Sequence, residues 1–217
     1  MVFGKSITFD ENGLSDAAHA AAHDPAFHSA ESEFLDRLRS GESEAFDILV
    51  RRYSADIYAL LYRITQNGDE AGDLVQETFL RAFKAIRRFR GDSELKTWLF
   101  RIAINESRNR HRWWKRRFRE KTVSLDQPIA DTDLSLHETL ADKADDPEAS
   151  LVRREDQRTL ETALMALPEA FREVIVLCDV EGQSYQQIAT ILEINIGTVK
   201  SRIARGREEL RKRLKGF

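Results

Sequence analysis

The fold is decided by residues 182–210, GQSYQQIATILEINIGTVKSRIARGREEL. Their spacing predicts two short helices with a break at Glu193–Asn195. Ser184 and Gln187 fit a capping box, in which each side chain bonds the other residue's backbone N–H at the start of the first helix. Asn195 is a favourable N-cap for the second helix. Two short helices joined by a tight turn are typical of a helix-turn-helix, which predicts DNA binding through the second helix.

The second helix of this motif separates apolar from polar side chains. Lysine and arginine on its outer face are able to donate to guanine, whereas serine and threonine bond either a phosphate or a base edge. The alternative interpretation is a plain three-helix bundle with a basic exterior. We expect four residues to point inward: Val199, Ile203, Leu210 and Leu214. We expect six residues to point outward: Thr198, Lys200, Ser201, Arg202, Arg205 and Arg207.

A larger helical region, residues 31–119, precedes this motif. Its apolar residues recur at intervals of three and four, which is typical of amphipathic helices. Breaks are predicted at Gly41, at Asn67–Gly68 and at the turn Arg90–Ser93, where either of the last two residues is a possible cap for the next helix. That next helix is apolar at its start and strongly basic at its end. The apolar positions that carry the pattern are Phe34, Leu35, Leu38, Phe46, Leu49, Val50, Tyr53, Ile57, Leu60, Ile64, Leu74, Val75, Phe79, Ala82, Phe83, Ile86, Trp98, Leu99, Ile102 and Ala103.

Charge is distributed unevenly along the chain. The net charge is −3, which by itself argues against a nucleic-acid-binding protein. Residues 81–121, however, carry 15 Lys/Arg against 4 Asp/Glu, and residues 197–217 carry 8 against 2. Residues 122–150 carry 8 acidic residues and one basic residue. Either basic block alone is equally consistent with a solvated helix face, but their alternation with an acidic strip indicates two nucleic-acid-binding surfaces joined by a linker.

These patterns together predict an all-α protein with two small helical domains and an acidic flexible linker between them. We expect a mobile N-terminal tail at residues 1–30 and a first helical domain at residues 31–119. The linker is predicted at residues 120–150, and the second helical domain at residues 151–217. In that domain, Leu160, Leu164 and Leu167 are predicted to form one apolar stripe. The next helix is predicted to end at Gly182, and its apolar face consists of Phe171, Val174, Ile175 and Cys178.

Composition excludes several classes of protein. No apolar run approaches the ~20 residues of a membrane-spanning helix, and the N-terminus lacks the pattern of a secretory signal. We therefore expect a cytoplasmic protein without membrane insertion. Cys178 is the single cysteine, and the five histidines are scattered, so we expect no disulfide, no metal and no other cofactor. Because Cys178 lies on an apolar face, we interpret it as a buried structural thiol rather than a redox sensor.

Two segments resemble the extracytoplasmic-function sigma factors, small bacterial subunits that start transcription with RNA polymerase. Residues 73–112, DLVQETFLRAFKAIRRFRGDSELKTWLFRIAINESRNRHR, are similar to region 2 of that family, and residues 182–210 are similar to region 4. The resemblance covers nearly all of residues 31–214. It implies a protein with no catalytic site that directs core RNA polymerase to promoters and helps to open the minus-ten element. The implied partners are core polymerase, through its β′ clamp helices and β flap, promoter DNA and an anti-sigma factor.

The resemblance also implies roles for residues of the first domain. It assigns docking on core polymerase to Asp73, Gln76, Glu77 and Phe79. It assigns capture of a flipped minus-ten base to the loop Phe89, Arg90, Gly91, Asp92 and Ser93, and contact with the opened strand to Asn105, Asn109 and Arg112. From the residues alone, Asp73 and Glu77 are equally explained as solvated helix positions. Trp113 and Trp114 either stack on DNA or pack beneath the basic end of their helix.

In the second domain, the resemblance assigns minus-thirty-five contacts to Thr198, Lys200, Ser201, Arg202, Ala204 and Arg205. Alanine at position 204 makes a base contact there doubtful because its side chain is short. Lysine at position 200 lacks the forked guanidinium that recognises guanine with two bonds. We therefore expect somewhat relaxed reading of this element. The acidic linker is similar to the family segment that threads the RNA exit path.

Two other functions fit parts of the sequence. An autonomous helix-turn-helix regulator with an N-terminal sensing domain would bind a palindromic site as a dimer. Nothing in the sequence resembles a receiver domain or a ligand pocket. An enzyme acting on nucleic acid would need clustered carboxylates or a nucleophile beside a base, and the acidic residues here fall in the predicted linker or on helix exteriors.

Overall fold

The structure, a computed structural model, describes residues 25–119 and 158–214, with side chains described at 31–117 and 158–214. Every regular element in these two stretches is helical, which confirms the predicted all-α class. The predicted linker at 120–150 and the predicted tail up to residue 24 lie outside the described residues. No helix in the described stretches is both long enough and apolar enough to span a membrane.

Four helices form the first described stretch. They are α1, Pro25–Ser40; α2, Ser43–Thr65; α3, Gly68–Ala85; and α4, Leu95–Arg119. A 3₁₀ turn, Ile86–Arg88, follows α3 directly. The helix α1 begins inside the stretch predicted as a tail. Its first residue is proline, which suits the first turn of a helix because its fixed φ is already helical and its missing N–H is not needed.

Local side chains and glycines set the helix ends. Gly41 closes α1 with a φ of +84°, in the left-handed region that glycine enters without strain. Asn67 precedes α3, and its side-chain oxygen accepts the backbone N–H of Glu70 at 2.9 Å. Both breaks fall where the sequence predicted them.

The start of α4 differs from its prediction. The helix begins at Leu95, so Glu94 occupies the preceding position rather than Asp92 or Ser93. The turn is therefore slightly longer than its glycine and short polar residues suggested. The apolar start of the helix is buried as expected, including Trp98, which lies in the core.

The predicted core of the first stretch is largely correct. One exception is Phe83, whose ring is about half exposed and packs edge-on against Phe46 with 5.1 Å between ring centroids. Phe83 was predicted to point inward because its spacing matches the other apolar residues on one face of α3. This apolar face is wider than the buried surface, so the residue at its margin lies in solvent. The buried residues of the pattern are Leu38, Leu49, Tyr53, Ile57, Leu60, Ile64, Leu74, Phe79, Ala82, Ile86, Trp98, Leu99 and Ala103.

Four helices also form the second described stretch. The first, α5, covers 158–165. It is followed by α6, Glu169–Ile175, which continues into a π-helical turn, Val176–Val180. The motif helices are α7, Tyr185–Leu192, and α8, Ile196–Leu214. The sequence predicted one uninterrupted helix up to Gly182 and gave no sign of the π-helical turn.

The prediction of a core position is wrong for two residues of this stretch. Leu160 and Leu214 are both exposed, whereas Leu164, Leu167 and Val199 are buried as expected. Leu214 is the last residue of α8, so no further turn of this helix covers it.

The single cysteine lies in the π-helical turn. Cys178 is half-buried, and its Sγ lies 3.7 Å from a guanidinium nitrogen of Arg207. Burial, followed by the charge of Asp179, raises the pKa of the Cys178 thiol to about 11. The thiol is therefore protonated at neutral pH, which supports the interpretation of a structural cysteine.

The described residues form two compact units. One contains 25–52 and 83–90; the other contains 53–82, 91–119 and 158–214. The second unit therefore holds α4 together with the whole of the helix-turn-helix half.

Candidate nucleic-acid interface

The first helix of the motif begins as predicted. The Ser184 Oγ accepts the backbone N–H of Gln187 at 3.2 Å, and the Gln187 side-chain oxygen accepts the backbone N–H of Ser184 at 2.8 Å. Both halves of the capping box are present. The apolar side of α7 is buried through Ile188, Ile191 and Leu192.

The turn between the two helices is short and tightly bonded. Glu193 takes a left-handed conformation with φ of 55°, and the N–H of Ile194 bonds the Ala189 carbonyl at 3.1 Å. The Asn195 Oδ1 then accepts both the N–H and the hydroxyl of Thr198, at 2.7 and 2.9 Å. Asn195 is therefore the N-cap of α8, as predicted, and it fixes the direction in which α8 leaves the turn.

The outer face of α8 presents most of the predicted minus-thirty-five residues. Thr198 and Arg202 are only partly exposed, and the Thr198 hydroxyl is engaged by the cap. Lys200, Ser201, Ala204 and Arg205 are exposed. These four occupy two successive turns of the helix and form a continuous exposed surface.

Arg207 differs from the other basic residues of α8. Its Nε lies 3.1 Å from Asp179 Oδ2, and a second nitrogen bonds the other carboxylate oxygen. These bonds, and the charge of Asp179, raise the pKa of Arg207. Arg207 is exposed, as predicted, but its charge is paired with Asp179 within the protein.

Gly206 allows α8 to approach α6 closely. A Cβ at this position would lie 2.9 Å from Ile175 Cγ1 and 3.4 Å from Phe171 Cβ. No side chain fits there without displacing Ile175. The sequence offers one signal for Gly206, since a glycine inside a helix costs about 1 kcal/mol relative to alanine and often indicates close packing.

The basic helix α4 presents the predicted minus-ten residues. Asn105 is half-buried, whereas Asn109 is exposed one turn further along the same face. An Arg112 guanidinium nitrogen donates to Asn109 Oδ1 at 2.6 Å. This bond leaves the amide N–H groups of Asn109 available to an incoming acceptor.

The predicted core-docking residues lie on α3. Asp73 and Gln76 are exposed, and Glu77 is partly exposed and paired with Arg81 at 3.0 Å. Phe79, in contrast, is 6% exposed, so its ring lies in the core beneath this face rather than on it.

A single open cleft of about 1060 Å³ joins parts of these two predicted surfaces. Arg110 on α4 lies 3.3 Å from Asp73 on α3, and Arg81 on α3 lies 3.4 Å from Glu106 on α4. The lining residues are Asp73, Leu74, Glu77, Arg81, Glu106, Asn109, Arg110, Arg112, Trp113, Trp114, Lys115 and Arg116. The cleft therefore has an acidic wall on α3 and a basic, aromatic wall on α4.

The predicted base-capture loop precedes α4. Phe89 is buried, and its carbonyl accepts two bonds from the Arg39 guanidinium, at 2.8 and 3.2 Å. Gly91 has a φ of +83°, so a side chain at this position would strain the turn. Arg90, Gly91 and Asp92 are exposed, and Ser93 is partly exposed.

Two adjacent tryptophans lie near the basic end of α4. Trp113 and Trp114 are 47% and 46% exposed and meet edge to face with 5.4 Å between ring centroids. The Arg117 guanidinium lies 5.1 Å from the centroid of the Trp113 ring, within the range of a cation–π contact. Half-exposed rings are not packed beneath the helix end, which favours the stacking interpretation.

Charged residues without a sequence-predicted role hold α4 and α2 against the second half of the chain. Two of them are Arg108 and Arg172. The Arg108 guanidinium makes two bonds to the Glu173 carboxylate, and those bonds raise the pKa of Arg108. Arg172 donates to the Ile64 carbonyl at 2.7 Å and also to three carbonyls at the end of α5 and in the turn after it. Burial lowers the pKa of Arg172, although the charges of Glu169 and Glu173 act in the opposite direction.

Comparison with known proteins decides the family. Residues 49–117 match the model described as Sigma-70 region 2, and residues 157–210 match Sigma-70, region 4. The chain is 37% identical over 182 residues to the ECF RNA polymerase sigma factor SigW of Bacillus subtilis, covering 83% of this chain and 95% of that protein. This chain belongs to the extracytoplasmic-function (ECF) sigma factors.

Other relatives of this ECF sigma factor support the same family assignment. It is 36% identical over 185 residues to the RNA polymerase sigma-H factor of Pseudomonas aeruginosa, covering 85% of this chain and 93% of that protein. Among solved structures, the sigma factor RpoE of Bartonella quintana, in complex with the anti-sigma factor NepR, aligns with a TM-score of 0.63. The identity is 28%, and the alignment covers 78% of this chain and 96% of that chain.

Family membership settles the biochemical class. Sigma factors are transcription initiation factors rather than enzymes. This chain binds core RNA polymerase and directs it to promoters. The autonomous regulator is not favoured by any of these similarities.

Proposed function

We propose that this ECF sigma factor docks on the β′ clamp helices of core polymerase through Asp73, Gln76 and Glu77 on α3. The exposure of Asp73 and Gln76 supports this role, because both side chains are accessible to a partner. Phe79 contributes from beneath, by supporting the helix from the core. The second half of the chain contacts the β flap.

The minus-ten element is read by the loop Phe89–Ser93 and by α4. The loop captures a flipped base, while Asn105, Asn109 and Arg112 contact the opened strand. Asparagine supplies both a donor and an acceptor, which suits the Watson–Crick edge of an unpaired base. The observation that supports this proposal is the shared cleft, which is lined by Asn109 and Arg112 of α4 together with Asp73 and Glu77 of α3.

The minus-thirty-five element is read by the first turns of α8. The exposure of Lys200, Ser201, Ala204 and Arg205 supports a position against the DNA, where Arg205 reads a base edge in the major groove and Lys200 contacts a phosphate. Thr198 acts mainly through the cap, and Arg202 reaches the phosphate backbone from a partly covered position.

The proposed function as a whole is tested by adding core polymerase. The protein alone is expected to bind duplex promoter weakly, whereas addition of core should give specific initiation in a run-off assay. Tight and specific binding by the isolated protein, measured by fluorescence anisotropy, would contradict the proposal.

Substitutions at Arg205 and Lys200 are expected to affect promoter binding differently. Arg205→Ala should cost about 1–3 kcal/mol on a preferred promoter and relax the base preference at one position, because a guanidinium recognises guanine bidentately. Lys200→Ala should lower the binding affinity by the same factor for every promoter sequence. It should also reduce the slope of log affinity against log salt concentration by about 1. Holoenzyme binding to a set of single-base promoter variants at several salt concentrations distinguishes the two. Equal effects on every sequence from Arg205→Ala would contradict a base-reading role.

Trp113 is expected to stack on a promoter base at the edge of the opened segment. It follows Asn109 by one helical turn, so a strand that meets Asn105 and Asn109 continues toward its ring. Trp113→Ala should lower holoenzyme affinity for a forked promoter by about 1–3 kcal/mol, whereas Trp113→Phe should retain most of it. Trp98→Phe, in the core, is the matched control and should not affect DNA affinity. Equal affinities for the alanine and phenylalanine variants would contradict stacking.

We further propose that an anti-sigma factor restrains this protein until an envelope or other stress signal releases it. NepR binds its sigma factor in the similar Bartonella structure, which supports this class of partner. The active protein works in the cytoplasm on the nucleoid. A pull-down from the native cell should recover both core polymerase and the anti-sigma factor.

A further inference from the structure

The end of α1 is bonded to the loop Phe89–Ser93, the proposed site of base capture. Arg39, the last residue but one of α1, donates from Nε and from one terminal nitrogen to the Phe89 carbonyl, at 3.2 and 2.8 Å. Its other terminal nitrogen donates to Asp36 Oδ1 at 2.9 Å, one turn earlier on the same helix. All three guanidinium nitrogens are therefore engaged, and they fix the plane of the group against the first residue of the loop.

Phe89 is held at three points. Its ring is buried, and its backbone N–H donates to the Ile86 carbonyl at 3.0 Å, which closes the 3₁₀ turn. Its carbonyl lies at the end of that turn, where a helix leaves backbone acceptors without an intrahelical partner. A cation is favoured at such an end, and Arg39 supplies it. The direction in which the backbone enters the loop is therefore fixed, and the next three residues, 90–92, are exposed.

The turn that follows α1 lies against the same segment. Gly41 has a φ of +84°, and a Cβ added there would lie 3.5 Å from a guanidinium nitrogen of Arg87 in the 3₁₀ turn. These residues, with Arg39 and Phe89, belong to the compact unit that contains 25–52 and 83–90. Arg39 precedes residue 49, where the match to Sigma-70 region 2 begins. The contact therefore brings a helix from outside the matched segment to the start of the loop.

We propose that Arg39 is a positioning residue for minus-ten base capture, which holds the start of the loop in the conformation that receives the flipped base. Arg39 acts through the Phe89 carbonyl rather than through contact with the base. A loop that is ordered before DNA arrives loses less conformational entropy on binding, so more of the contact energy remains for capture. This inference rests on the proposed function, since that function assigns base capture to this loop.

A cycle that combines a protein variant with a change in the DNA tests the proposal. Abasic substitutions across the minus-ten element first identify the captured base, as the position where loss of the base most weakens opening by the parent holoenzyme. Arg39→Met keeps a long side chain and removes its donors. On the intact promoter it should lower the equilibrium constant for opening by roughly tenfold, about the effect of one charge-assisted hydrogen bond.

The same variant should have little effect on the promoter that is abasic at the captured position, because the loop then has no base to receive. Permanganate footprinting measures the opened fraction on both promoters. A loss by the same factor on both would overturn the proposal, since independent effects multiply without coupling. Affinity for core polymerase should be unchanged.

The neighbouring Arg37 provides the matched control. Its side chain is 37% exposed, against 33% for Arg39, and its Nε donates to Glu42 at 2.8 Å. Arg37→Met therefore removes an arginine of the same helix and a comparable ion pair, and it should leave the abasic penalty at the parent value. Arg39→Lys should recover part of the coupling, because an ammonium donates to a carbonyl as well. Equal coupling in Arg39→Met and Arg39→Lys would contradict the role of the bond, since both side chains fill similar space.

The order of the loop is measured directly in the free full-length protein. Backbone ¹⁵N order parameters of Gly91 and Asp92 should fall in Arg39→Met and stay at the parent values in Arg37→Met. Unchanged order parameters in Arg39→Met, with helical content retained by circular dichroism, would refute the positioning role. Failure of the proposed function is a different result, in which no abasic position in the minus-ten element weakens opening by the parent holoenzyme.

Discussion

Replacing both Asn105 and Asn109 with alanine should reduce open-complex formation by at least roughly 30-fold, since each lost base-edge contact costs about 1 kcal/mol or more. Both amides lie on one face of α4, so we expect them to contact successive positions of the same opened strand. Permanganate footprinting of the minus-ten region measures the opened fraction directly. Affinity for core polymerase should be unchanged, because the proposed docking residues lie on α3.

A promoter with a pre-opened minus-ten bubble distinguishes a defect in DNA opening from a defect in folding or docking. The bubble removes the unstacking cost, so the double variant should recover part of its activity on it. Asn67→Asp is a matched control, because it removes an amide while keeping the oxygen that caps α3. An equal loss of core affinity in the Asn105/Asn109 variant would show that these residues support the fold or docking instead of the strand.

Gly206→Val should destabilise the second half of the chain by about 1–3 kcal/mol, because overpacking forces backbone or side-chain shifts. The added Cβ would lie 2.9 Å from Ile175 Cγ1, and the branch at Cβ leaves less freedom to relieve the contact. For a protein of this size, the melting temperature should fall by about 2–12 °C, as measured by circular dichroism. Minus-thirty-five affinity should fall as well, since α8 would tilt away from α6.

A double-mutant cycle tests whether the contact between position 206 and Ile175 causes this loss of stability. Gly206→Ala and Ile175→Ala should each destabilise the protein, whereas the double variant should be more stable than the sum predicts, because the shortened side chain makes room for the new Cβ. The matched substitution Gly72→Ala meets nothing within 4 Å and should be neutral or stabilising. If the changes in unfolding free energy at positions 206 and 175 simply add, the contact between these two residues does not cause the destabilisation.

The ends of the motif helices could be predicted from sequence because caps are local. Ser184, Gln187 and Asn195 each act within three residues, and all three behave as expected. The fold class and the family followed from patterns of the same kind, repeated along the chain.

The ion pair between Arg108 and Glu173 could not be predicted in the same way. Arg108 lies in a basic run that suggested DNA contact, and its partner Glu173 is 65 residues away. No local spacing links two charges over that distance. Phe79 failed as a surface residue for a related reason: a family motif gives its position in the chain but not which side of α3 is covered.

The separation of Arg108 from Glu173 also has a consequence during synthesis of the protein. A ribosome adds about 5–20 residues per second, so residue 173 is made roughly 3–13 s after residue 108. During that interval α4 has no second half to pack against. We expect the face of α4 around Arg108 to stay open to water on the nascent chain until Glu173 has been made.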